Sequence, residues 1–69
     1  SHIEALPFKG DSDRGYAHIQ TSQSDDMEYE MFYTAAWKND AYVTLSHTAV
    51  DQESIDAGFE TLNMILDRL

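Results

Sequence analysis

The chain contains no cysteine, which removes disulfides as a source of stability and excludes the paired thiolates of zinc and redox motifs. It is also poor in cations: four Lys and Arg stand against thirteen Asp and Glu, a formal charge of −9. A field of that sign repels phosphates and anionic lipid, so direct binding to nucleic acid or to a membrane is not expected. Long apolar runs are missing as well. Nothing approaches the roughly 18 residues of a membrane-spanning helix, and the N-terminus has neither the basic segment nor the apolar stretch of a signal peptide. A soluble protein of the reducing cytoplasm is what these absences fit. The chain opens Ser1-His2 without an initiator Met, which reads as a cloning scar or as an excised fragment of a longer parent.

Motifs that carry chemistry are missing too. There is no glycine-rich phosphate loop and no His-Glu-x-x-His pair. His2, His18 and His47 are far apart in sequence and read as surface or capping residues rather than ligands. Asp11-Ser12-Asp13-Arg14-Gly15 imitates the opening of a calcium loop, but Gly15 stands where an oxygen ligand belongs and Ser22 where the closing Glu belongs. Asp25, Asp26, Glu28 and Glu30 crowd a predicted turn and strand, not the apolar pocket that would raise one carboxyl for acid–base work. No metal, cofactor or catalytic residue is assigned, and a non-enzymatic role is expected.

What the chain does have is apolar content: 42% of its 69 residues, including four Tyr, three Phe and one Trp, enough for one folded domain. Residues 1–15 hold Pro7, Gly10, Gly15 and a polar run, and are expected to form a flexible lead-in to a single domain over residues 16–69. Ile3, Leu6 and Phe8 are the exceptions there, suited to docking as a short extended edge or a helical turn. Period-two alternation then predicts three antiparallel strands over residues 16–21, 27–37 and 41–46, joined by a polar turn at 22–26 and by Lys38-Asn39-Asp40. In the first, Ala17 and Ile19 face inward while Tyr16, His18 and Gln20 face outward. In the second, Met27, Tyr29, Met31, Tyr33, Ala35 and Trp37 are assigned to the core, which turns Glu28, Glu30, Phe32, Thr34 and Ala36 outward. Val43 and Leu45 point inward from the third.

The C-terminal segment reads as a helix with several agreeing signals. Asp51 is suited to cap it, Val50 and Ile55 to form a hydrophobic staple across its start, and Glu53 to favour its positive end. Ile55, Phe59, Leu62, Leu66 and Leu69, with Ile65 beside them, recur every three or four residues as one apolar stripe. Gly58 next to that stripe implies a close approach to the sheet, since glycine inside a helix otherwise costs about 1 kcal/mol. The fold class expected is therefore α+β, a three-stranded antiparallel sheet in β-β-β-α order with one C-terminal helix on one face. That order resembles double-stranded RNA-binding domains, but the helix start has none of the Lys and Arg such a domain needs.

A single helix leaves the other sheet face uncovered. Tyr16, Phe32 and Tyr42 are expected there among Glu28 and Glu30, with Asp25 and Asp26 at its edge, and exposed aromatic patches mark interaction surfaces. A chain this small, with no disulfide, also gains from a partner subunit. The expected function is a protein-binding or self-associating, homodimeric domain acting through that face. The alternative is an acidic inhibitor that mimics nucleic acid and binds a basic nucleic-acid-binding protein.

Overall fold

The computed structural model describes residues 2–49 and 51–69. Four strands follow one another, β1 His2–Leu6, β2 Arg14–Ser24, β3 Met27–Lys38 and β4 Ala41–Thr48, each pairing antiparallel with the next. One helix, α1 Gln52–Leu66, completes an α+β domain. The sheet has four strands where three were expected. The additional one comes from the N-terminal segment, where Ile3 and Leu6 take up the extended-edge option by pairing along β2, Ile3 opposite Gln20 and Leu6 opposite Ala17. Among the described residues no helix is long and apolar enough to cross a membrane.

Two two-residue turns fix the register. Ser24 pairs with Met27 around Asp25-Asp26, and Lys38 pairs with Ala41 around Asn39-Asp40. Asp25 has φ 56°, and Asn39 and Asp40 have φ 51° and 65°. Asn and Asp reach this left-handed region at lower cost than other side chains, and such turns match the twist of the strands they join.

The turns decide which side chains of β3 share a face with those of β2, and here the structure corrects the sequence reading. Phe32 lies opposite Ile19 and His47, Thr34 opposite Ala17 and Leu45, and Ala36 opposite Val43, all on the side covered by α1. Phe32, Thr34 and Ala36 are buried, and the Phe32 ring meets Phe59 of α1 edge-on at 5.2 Å. Phe32 is therefore a core residue and not part of an outer contact face. Tyr33 and Trp37, assigned to the core from sequence, lie on the opposite side. Val43 and Leu45 do pack against the core, as do Ala17 and Ile19.

The helix starts beside the end of β4 and runs back along it to the Asn39-Asp40 turn, where Lys38 Nζ donates to the Leu66 carbonyl at 2.9 Å and Asn39 Nδ2 to that of Leu69 at 3.2 Å. Asp51 caps it as expected: its carboxylate accepts from the Ser54 amide, and the Ser54 hydroxyl accepts from the Asp51 amide. Val50 lies outside the described residues, so the expected staple to Ile55 is not described. Phe59, Leu62 and Leu66 form the buried stripe, and Gly58 is buried beside them. On the β1 side, Phe8 sets its ring edge-on to Phe59 at 6.1 Å. Asn63 ties the connection from β1 to β2 to the helix, accepting from the Asp11 amide and donating to the Lys9 carbonyl.

Candidate functional site

The face of the sheet turned away from α1 carries a continuous row of rings. Tyr42 sits opposite Trp37 and His18 opposite Tyr33, so each pair shares this face, while Tyr16 lies opposite the small Ala35 and has room to spread between them. Ring centroids step from Tyr42 to Trp37 at 4.7 Å, Trp37 to Tyr16 at 6.2 Å, Tyr16 to His18 at 6.1 Å and His18 to Tyr33 at 5.1 Å. The last two contacts are stacked, with interplanar angles of 6° and 21°. Arg14 places its guanidinium 4.8 Å from the centre of the Trp37 ring, a cation–π contact at one end of the row. Beneath the rings Ala35 is buried, although it faces away from the helix.

This row is not an internal core. Tyr16 is 47% exposed and Tyr42 56% exposed, and Met27 and Tyr29 extend the same face towards the Asp25-Asp26 turn, both exposed. Tyr42 titrates above the ordinary tyrosine range. Desolvation against its neighbours is the larger cause, and the adjacent Tyr16 phenol adds to it by charge repulsion and by hydrogen bonding.

Charge divides sharply between the two sides of the molecule. Glu4, Glu28 and Glu30 alternate onto the helix side with Ile19 and Phe32. Asp25, Asp26 and Asp40 occupy turns, Asp11 and Asp13 the connection before β2, and the remaining five carboxylates the helix and its caps. None of the thirteen Asp and Glu projects from the outer face, where Arg14 is the only formally charged side chain among the described residues.

Of the residues expected to form the contact surface, then, the fold brings Tyr16 and Tyr42 together on one face. Phe32 is withdrawn into the core, and Glu28 and Glu30 stand on the reverse side. Asp25 and Asp26 mark the projecting end of the β2–β3 hairpin. His18, expected on this face but not as part of the contact surface, and Tyr33 and Trp37, expected in the core, complete the row. The signal for them was the hairpin itself: once Tyr16 and His18 face outward, a two-residue turn obliges Ala35 and Tyr33 to do the same. Among the described residues no three His, Asp or Glu side chains gather as a metal site; His18 lies in the ring row and His47 against Phe32. Set against family models, curated proteins and solved structures, the chain matches none of them.

Proposed function

We propose that this is a non-enzymatic contact domain that binds protein, a second copy of itself or another chain, through the aromatic outer face of the sheet. The observation that carries the reading is the absence of every carboxylate from that face in a chain of charge −9. Solubility alone would scatter acidic groups over both sides, whereas docking surfaces are enriched in Tyr, Trp, Met and Arg and depleted of Asp, Glu and Lys. Tyr16, Trp37 and Tyr42 are the anchors, amphipathic rings that lose little conformational freedom when covered.

Tyr42→Glu tests it. The side chain is exposed, so the variant is expected to keep the wild-type circular dichroism and melting temperature. It is also expected to weaken association about tenfold or more, read as mass in light-scattering chromatography for self-association or as retention on an immobilised copy for a different protein. Unchanged mass together with unchanged retention overturns the proposal.

A second reading, a dock for a basic protein, draws on the reverse side. Asp25, Asp26, Glu28 and Glu30 are all exposed on the hairpin end that projects past the start of α1. Binding of that kind is expected to weaken steeply as salt is raised, because exposed charges are screened within about 8 Å at physiological ionic strength. A salt-independent complex counts against it.

A further inference from the structure

β4 is an edge strand, paired with β3 on one side only. An unpaired edge exposes a row of backbone donors and acceptors, and soluble proteins guard such edges with charge, proline, bulges or short length. The opposite edge, β1, follows that practice, with five residues, Glu4 within it and Pro7 just after it. β4 does not. Its eight residues, Ala41 to Thr48, contain no Asp, Glu, Lys, Arg, Pro or Gly, and the register with β3 runs through it without a bulge.

The helix repeats the same asymmetry. Its flank towards β1 is acidic: Asp56 borders a groove with Leu6, Pro7 and Lys9, and Glu60 and Asp67 follow on that side at helical spacing. Its flank towards β4 carries no carboxylate from Ser54 to Ile65, with Glu53 one turn before Ala57 and Arg68 one turn after Met64. Ser54, Ala57 and Thr61 line an open groove of about 360 Å³ against Leu45, Ser46 and His47. Met64, 57% exposed, and Ile65, 39% exposed, continue that flank.

The geometry points to a second copy of this chain as the occupant, joined β4 to β4 in an antiparallel pair about a two-fold axis normal to the sheet. That axis keeps both helices on the same side of an eight-stranded sheet and brings the stretches from Ser54 to Ile65, free of carboxylates on this flank, towards each other over the seam, so that strand edge and groove close together. Charge selects the copy. A chain of −9 meets itself most favourably where it carries no carboxylate, and the β4 side offers such a surface on strand and helix alike. The contact extends the proposed function without depending on it. The ring rows of the two copies become neighbours on one wider outer face, and that face is left free.

Thr61→Glu tests the seam without touching the outer face, because residue 61 is an exposed helix position on the far side of the sheet. The wild type is expected to be dimeric in light scattering over a dilution series, with slower amide exchange in β4 at high than at low protein concentration. Thr61→Glu is expected to raise the dissociation constant about tenfold or more and to remove the concentration dependence in β4, with an unchanged circular dichroism spectrum. A chain that stays monomeric at the highest soluble concentration overturns the inference. So does a dimer that Thr61→Glu leaves intact while β4 exchange ignores concentration. A dimer dissolved by Tyr16→Glu, on β2 and separated from the seam by β3, but not by Thr61→Glu removes the β4 seam and leaves the proposed outer-face function standing; the converse keeps the seam and removes the outer-face self-contact.

Discussion

Phe32→Ala is expected to leave much of the chain unfolded at room temperature. The ring is fully buried, set edge-on to Phe59 and in contact with the His47 ring at 5.1 Å. Truncating a buried Phe costs about 3–5 kcal/mol in lost burial and unfilled cavity. A domain of this size has only about 3–10 kcal/mol to lose. The neighbouring Met31→Ala, on the other face and half-exposed, is expected to cost about 1 kcal/mol or less. Urea titrations followed by circular dichroism distinguish the two. Equal losses would mean that β3 does not present Phe32 to the helix, and the outer ring row would fall with that register. Phe32→Glu is not a surface probe for the same reason: it would bury a carboxylate among Phe59, Leu62 and His47 with no partner charge.

The sequence carried the α+β class, the antiparallel sheet and the C-terminal helix, but neither the fourth strand, β1, nor the phase of the longest strand, and the cause of the second miss lies in two turns. A connection spanning residues 22–26 would set Thr21 opposite Met27, whereas the two-residue Asp25-Asp26 turn sets Ser24 there. The difference is an odd number of residues, and an odd slip transfers a whole strand to the other face. The same holds after β3, where a three-residue Lys38-Asn39-Asp40 loop gives way to Asn39-Asp40 with Lys38 paired. Both errors act on β3 alone, so β2 and β4 kept their correct faces and only the strand between them was inverted. Composition was no guard, because β3 has large apolar residues on both sides. Glu28 and Glu30, which seemed to mark the solvent face, lie beyond or at the very start of α1, where the helix side is itself wet. The helix was legible up to Leu66 because its signals are local: Asp51 as cap, Glu53 in the first turn, and the Phe59-Leu62-Leu66 stripe need no knowledge of register, whereas Leu69, expected to extend the stripe, lies past the helix and is exposed, as is Ile65. The outer site could be read only in part for the converse reason. Tyr16 and Tyr42 sit on strands whose phase was right, whereas Tyr33 and Trp37 sit on the strand whose phase was not.

Gly58→Ala is expected to destabilise the domain, against the sign that helix propensity alone gives. Replacing glycine with alanine inside a helix normally gains about 1 kcal/mol. Here the added methyl would press into the His47 imidazole at Nε2 and come to 2.9 Å from Phe32 Cε2, closer than carbon atoms tolerate. Neither neighbour gives way easily. Phe32 is wedged between Phe59 and His47, and His47 is held through Nδ1 by the Thr48 carbonyl at 2.8 Å, which leaves Nε2 buried against the helix without a hydrogen-bond partner among the described residues. Overpacking of this kind costs about 1–3 kcal/mol, and Gly58→Leu belongs at or beyond the upper end. The mechanism is separable from any general intolerance of the helix by a double-mutant cycle. If the methyl clashes with the imidazole, Gly58→Ala combined with His47→Ala is expected to cost less than the two single changes added together, because the smaller side chain on β4 vacates the space that the methyl needs. Additive losses in thermal or urea unfolding would show that the helix does not approach β4 at Gly58, and the groove beside it would then lack the floor that places Ala57 and Thr61 next to Leu45.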